Sequence, residues 1–266
     1  PIDILIPVYN EGENILSALR ALKAHVRTPF RLLILYDNDT DPTLAVARRP
    51  EFNDLTIQCV KNQGAGVAGA IVTGFRNVTG RCAIVVPADD DYNIPKLDTL
   101  VALHDAGYEV VAPSRFMRGG CMVGCPLIKA ILVRTAAFLL YYFAKLPTHD
   151  ATNGFRLFSK RVLETIPIES RLGFAYSLEF LVKVHRLGWK IAEVPVDWYE
   201  RKKGKSRFLV GMWLGQYLKW FFYGFATTYF ARGPETVAVH AAISSGTEKG
   251  ERPKSTSLSQ TPQQST

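Results

Sequence analysis

Ala83-Ile84-Val85-Val86-Pro87-Ala88-Asp89-Asp90-Asp91-Tyr92-Asn93 is the stretch around which the rest of the chain arranges itself. Its short, β-branched apolar run reads as a buried strand, and three carboxylates stand at the C-terminal end, where open α/β sheets place their ligands. Three adjacent anions repel one another unless positive charge sits among them. A hard divalent cation, Mg²⁺ or Mn²⁺, meets that need. Along an extended strand end Asp89 and Asp91 point to one side and Asp90 to the other. Asp89, Asp91 and Asn93 then offer three oxygen ligands on one face, with water and substrate phosphates for the remaining positions. The plainer alternative is a solvated acidic turn before Pro95.

Working outward, Ile2 to Val8 is a strand that ends at the loop Tyr9-Asn10-Glu11-Gly12-Glu13, and Ile15, Leu19, Leu22 and Val26 then fall at helical spacing. Phe30 to Tyr36 is a second strand, followed by a turn from Asp37 to Thr43 that caps a helix through Ala47. Leu55 to Val60 is a third, and a glycine-bearing segment from Gly64 to Gly69 leads from it into a helix. Strands and helices alternating at this cadence imply a mostly parallel sheet covered on both faces. The loops after the first, second and fourth strands then open on one sheet edge, so Pro7, Tyr9, Asn10, Glu11, Asp37 and the acidic stretch line one cleft.

With 266 residues, 47% hydrophobic and 21% charged, the chain has enough apolar material for one sizeable core with an appendage. A net charge of +8 allows nucleic acid, an acidic lipid surface or a phosphorylated substrate as partner. The basic residues cluster before an aromatic helix rather than along a groove interleaved with stacking side chains, which argues against nucleic acid. Cys59, Cys82, Cys121 and Cys125 lack the paired spacing of a zinc site and read as reduced thiols of a cytosolic protein. The apolar run at Ile2 belongs to the first strand rather than to a leader, and Pro1 in place of Met leaves room for residues upstream.

Pro126 to Ala144 is strongly apolar but interrupted by Lys129 and Arg134, which makes it an amphipathic helix on the cleft or membrane rim. A strand through Ile191 and Val194 leads to the basic run Arg201-Lys202-Lys203-Gly204-Lys205-Ser206-Arg207. Phe208 to Ala231 follows, dense in aromatic side chains, with Lys219 near its middle at a cost of about 2.5–3.5 kcal/mol for a span. Rings behind a basic patch suit the headgroup layer, with a tilted span or a helix packed on protein as the alternatives. After Gly233 the Ser, Thr, Gln, Pro and Lys content marks a disordered tail. The expected organisation is a catalytic domain over 1–207, a membrane-associated helix over 208–232 and a tail over 233–266.

With these residues in place the chain resembles a family 2 glycosyltransferase of the glycosyltransferase A fold, of the polyprenyl-phosphate sugar synthase (dolichol-phosphate mannose synthase) type. The resemblance rests on Ile6-Pro7-Val8-Tyr9-Asn10-Glu11, on Asp37 with Asp41 and Thr43, and on Asp89-Asp90-Asp91. It continues through Ser114-Arg115, Asp150 with Thr152-Asn153-Gly154-Phe155-Arg156, Glu179, and Gly204-Lys205-Ser206. Two positions depart from the pattern: Tyr36 replaces the first of two aspartates, and Asn93 replaces a glutamine. No Q-x-x-R-W motif is present, as processive polysaccharide synthases of the superfamily would show.

The resemblance implies attack by a lipid-phosphate oxygen on the anomeric carbon of a nucleotide sugar, with inversion and departure of the nucleoside diphosphate. A phosphate acceptor is already anionic and needs no base. Asp89, Asp91 and Asn93 are then the metal ligands, and Pro7, Tyr9, Asn10, Glu11 and Asp37 hold the nucleoside. Arg115, Lys129 and Arg134 are candidates for the acceptor phosphate, while Arg201, Lys202 and Lys205 close over the diphosphate or face lipid headgroups. Asp150 positions the acceptor, acts as a base, or caps the turn before Gly154. Glu179 is a site residue or an ion-pair partner of Arg156 or Lys183, and His149 a proton carrier or a surface turn residue. GDP-mannose is the donor the family suggests, polyprenyl or dolichyl phosphate the acceptor, and the cytoplasmic face of a membrane the location. A transferase with a non-lipid acceptor, or an inactive membrane-surface binding module, are the competing classes.

Overall fold

Strands in this chain are apolar on both faces because helices cover both sides of the sheet. The computed structural model describes residues 1–200 and 210–240. In chain order the elements are β1 (Ile2–Pro7), α1 (Leu16–His25), β2 (Phe30–Tyr36), α2 (Pro42–Ala47), β3 (Ile57–Lys61), α3 (Gly66–Arg76), β4 (Cys82–Val85), α4 (Leu97–Asp105) and β5 (Val110–Ser114). They continue with β6 (Cys121–Val123), α5 (Leu127–Tyr142), β7 (Arg156–Ser159), α6 (Lys160–Thr165), α7 (Ala175–Arg186), β8 (Ile191–Pro195), β9 (Asp197–Tyr199) and α8 (Val210–Tyr229).

Among the described residues the main sheet runs β3-β2-β1-β4-β7-β5-β8, parallel except for β7, which is antiparallel to both neighbours. The period of two sorts each strand between two cores. Ile4, Ile6, Leu32, Ile34 and Ile84 face α1 and α4, whereas Leu5, Leu33, Leu35, Ala83 and Val85 face α3 and α7. In the second core Phe75, Phe158 and Phe180 meet with ring centroids 5.1–5.9 Å apart. The one acid inside β1, Asp3, is 1% exposed and fully used: it accepts from Arg31 Nε and from the Thr79 and Gly80 amides, each at 2.7 Å. It thereby pins the turn that feeds β4. β7 carries only four residues behind a polar turn, too short for its alternation to announce a strand.

The aromatic helix α8 lies on the protein body. Trp220 is 1% exposed and its Nε1 donates to Ser170 Oγ at 2.8 Å, while Gln216 Oε1 accepts the amides of Arg171 and Leu172. Gly224 lets α8 approach closely, since a β-carbon there would come within 3.3 Å of Leu140 and of Val182. Lys219, the residue that spoils a span, reaches Glu169 at 2.7 Å. No helix among the described residues is long and apolar enough to cross a membrane. Leu218, Phe222, Tyr229 and Phe230 stay exposed on the other face, as do Leu127, Ile128, Ile131 and Leu132 on α5.

The expectation of a disordered tail from residue 233 is corrected over 233–240. Val237 is buried, Arg186 Nη1 donates to Thr236 Oγ1 at 3.0 Å, and the His240 amide donates to Thr165 O at 2.9 Å. Residues 241–266 lie outside the described residues.

Candidate active site

The first loop is held open by the helix that follows the second strand. Asp41 caps α2 by accepting from the Thr43 amide through Oδ1, and its Oδ2 accepts from the Asn10 amide at 2.8 Å. Thr43 Oγ1 accepts from the Glu11 and Gly12 amides at 3.1 and 3.0 Å. The surviving Asp41 and Thr43 of the family motif are thus brackets for the loop, which explains their spacing without any ligand contact. Asp37, half-buried at the end of β2, accepts from Asn62 Nδ2 at 2.6 Å. Asn62 also donates to Gly66 O and accepts from the Gly64 amide, so it shapes the glycine turn that enters α3.

At the end of β4 the acids divide. Asp90 is 7% exposed and turns inward, where its Oδ1 accepts from Asn93 Nδ2 at 2.7 Å. Burial pushes its carboxyl up to about 7, against the Asn93 hydrogen bonds, and the charges of Asp89 and Asp91 add to the rise. Asp89 and Asp91 remain half-buried on either side.

Asn93 is a correction. The chain turns after Pro87, with the Asp90 amide bonded to Pro87 O and the Ile94 amide to Asp91 O, so strand alternation does not carry as far as residue 93. Asn93 is 1% exposed; its amide nitrogen also donates to Asp197 O at 2.8 Å and its oxygen accepts the Asp197 amide at 3.1 Å. It bolts the acidic loop to β9 rather than presenting a ligand oxygen.

Arg115 and Asp150 form a buried ion pair, with Arg115 Nε and Nη2 donating to Oδ2 and Oδ1 at 2.6 and 2.9 Å. Asp150 is 0% exposed, and its oxygens also accept from the Arg115 and Thr152 amides and from Thr152 Oγ1. Burial opposes ionisation, yet the Arg115 guanidinium holds the Asp150 carboxyl below the usual range. A base role for Asp150 is therefore corrected: all its lone pairs are engaged and it has no contact with solvent. It positions Arg115, which does reach the cleft wall.

Glu179, fully buried, pairs with Lys183 at 2.7 Å and accepts the amides of Glu169 and Ser170. It fixes the loop on which α8 rests and takes no part in the site. His149 stacks on Tyr141 at 3.8 Å and bonds Glu193 at 2.6 Å, away from the cleft wall.

One cleft of about 950 Å³ gathers these elements. Its wall joins Pro7, Tyr9, Asn10, Glu11, Asp37, Asp89 and Asp90 with Arg115 and Lys129, and with the apolar Leu132, Leu139, Leu214, Leu218 and Phe221 from α5 and α8. Lys129 sits with its ammonium 5.1 Å from the Trp198 ring centroid. Asp91 lies beside Asp89 but not on the wall, and Arg134 is also off it, stacked over Phe116 at 5.0 Å with Arg115 at 5.1 Å. Arg201, Lys202 and Lys205 are outside the described residues. Sequence reasoning missed the wall from Asp197 to Glu200, whose short β9 pairs with β6 across distant sequence.

Two half-buried carboxylates suit a divalent ion that takes its other ligands from water and phosphate. No group of three or more His, Cys, Asp or Glu side chains is arranged to hold a metal among the described residues. Asp89, on the cleft wall, and its half-buried neighbour Asp91 are oxygen donors of the kind such an ion takes, and they would leave most of its positions to water and substrate.

A mostly parallel sheet of this order, with carboxylates at its C-terminal edge beside a cleft, has the architecture of the glycosyltransferase A fold. The chain belongs to glycosyl transferase family 2, whose sequence profile matches residues 3–166. It is 26% identical over 211 residues to the polyprenol monophosphomannose synthase of Mycolicibacterium smegmatis, covering 77% of this chain and 79% of that protein. An uncharacterized glycosyltransferase of Mycobacterium bovis is 27% identical over 206 residues, covering 77% and 88%. Among solved structures, the glucosyl-3-phosphoglycerate synthase of Mycobacterium tuberculosis, crystallised with Mn²⁺, UDP and glucosyl-3-phosphoglycerate, superposes with a TM-score of 0.61 at 17% identity. That match covers 84% of this chain and 79% of the other, and it is a likeness of fold.

Proposed function

We propose that this protein transfers a sugar, with inversion, from a nucleotide sugar to the phosphate of a polyprenyl or dolichyl lipid, with mannose from GDP-mannose as the leading donor. The observation that carries the reading is the continuity of the cleft from Asp37 and Asp89 to Leu139, Leu218 and Phe221. A polar nucleotide and a hydrocarbon chain need a cleft lined by both kinds of side chain, and the similarity to a polyprenol monophosphomannose synthase agrees with it.

In this reading the Pro7 to Glu11 loop and Asp37 bind the nucleoside, and Asp89 and Asp91 hold Mg²⁺ or Mn²⁺. The ion, when bound, neutralises charge on the departing diphosphate. Lys129 and Arg115 draw the acceptor phosphate beside that second anion, with Arg115 held at a fixed angle by Asp150. Arg134 serves the rim, and Arg201, Lys202 and Lys205 bring positive charge for the diphosphate or for lipid headgroups. The exposed apolar faces of α5 and α8 rest on the cytoplasmic surface of a membrane, where the lipid phosphate is presented.

The test is transfer of labelled sugar from GDP-mannose and UDP-glucose to a short polyprenyl phosphate, with Mg²⁺ or Mn²⁺ and then with chelator, for wild type, Asp89→Ala and Asp91→Ala. Loss of at least about 100-fold in either variant supports the reading. Transfer that ignores the lipid phosphate points to a non-lipid acceptor. Retention on anionic vesicles without any transfer points to a binding module.

A further inference from the structure

Three buried side-chain atoms among the described residues have no hydrogen-bond partner: Arg156 Nε, Tyr223 OH and Glu200 Oε2. Of these residues only Glu200 lines the cleft. A buried acceptor left unpaired is unfavourable unless a ligand brings the donor. The buried carboxylates Asp3, Asp41, Asp90, Asp150 and Glu179 are all partnered within the protein.

The backbone holds Glu200 in position. Val123 pairs with Tyr199 at the end of the β6–β9 ladder, and the Glu200 amide donates to Val123 O at 3.1 Å. Gly124, at φ +79°, leaves room beside it, since a β-carbon there would lie 3.2 Å from Glu200 Cβ. Burial raises the pKa of the neighbouring Cys125 thiol, and the charges acting on that thiol are Lys129, Glu200, Arg115 and Arg134. Glu200 therefore shares the cleft wall with Lys129 and Arg115.

The ligand's chemistry follows by elimination. A phosphate is repelled by a carboxylate, a hydrocarbon chain has no donor, and no metal-holding group forms among the described residues. A sugar lying between the diphosphate and the incoming nucleophile carries hydroxyl donors. We infer that Glu200 is a specificity residue whose Oε2 accepts a hydrogen bond from a hydroxyl of the transferred sugar; this rests on the nucleotide-sugar reading above.

The experiment is titration of the full chain with GDP and GDP-mannose, and with UDP and UDP-glucose, for wild type, Glu200→Ala and Glu200→Gln, with thermal unfolding run alongside. The expected result is that Glu200→Ala weakens the preferred nucleotide sugar about 10- to 100-fold, the range of a hydrogen bond to a charged group, and leaves its free nucleoside diphosphate unchanged. Glu200→Gln, whose amide oxygen still accepts, retains part of the gain. Unchanged affinity for the nucleotide sugar, equal loss for the nucleoside diphosphate, or a defect confined to the KM for lipid phosphate overturns the inference while the proposed function stands. A wild-type protein that binds no nucleotide sugar overturns both.

Discussion

Asp89, Asp90, Asp91 and Asn93 differ in what surrounds them more than in chemistry. Asn93 satisfies Asp90 and the backbone of Asp197, so Asn93→Ala leaves buried groups unpaired and is expected to cost about 1–3 kcal/mol in urea unfolding. Asp91→Ala, at a half-buried carboxylate, should lose transfer and keep its unfolding midpoint. The two variants separate a bolt from a ligand. Asp150→Asn breaks a fully buried ion pair and is expected to cost about 3–5 kcal/mol. Because the folded Asp150 pKa is depressed, the pair's contribution is present above the unfolded value of about 3.9 and is lost as pH falls through the folded one. The wild-type urea midpoint should therefore drop more steeply than that of Asp150→Asn below pH of about 4, with the difference between them constant from there to neutrality.

At the scale of elements, α5 and α8 have one face committed and one face open. Trp220 and Gly224 commit α8 to α7 and α5, while Phe222 and Phe230 are 65% and 75% exposed. Replacing both exposed rings by Ser should leave thermal unfolding within about 1 kcal/mol of wild type, since surface changes seldom exceed that. Retention on anionic vesicles in a flotation assay should fall, as each buried Phe contributes about 1.5–3 kcal/mol to partitioning. Equal retention by the double variant would remove α8 from the membrane contact. Trp220→Ala is the opposite case, expected to destabilise by about 3–5 kcal/mol because it empties a buried site.

For the molecule as a whole, α8 is part of the catalytic body and not an appendage. It supplies Leu214, Leu218 and Phe221 to the cleft and covers Leu140 and Val182. A chain ending at residue 207 should expose that apolar surface and elute as aggregates in size-exclusion chromatography; a monomeric, transfer-competent truncation would contradict this. Composition changes at residue 207, but composition does not report what a helix packs against.

The sequence by itself determined the alternation of strands and helices, the cleft edge, the acidic loop and the family. Each is written in neighbouring residues, as a period, a turn or a motif, and local chemistry is enough to decode it. Only the tertiary structure decided that Asn93 serves Asp197, that Asp150 serves Arg115, that Asp41 and Thr43 hold the first loop, and that α8 closes the cleft. Those pairings join residues about 30 to 100 positions apart, and a side chain's free lone pairs are known only once the fold has brought its distant partners to it.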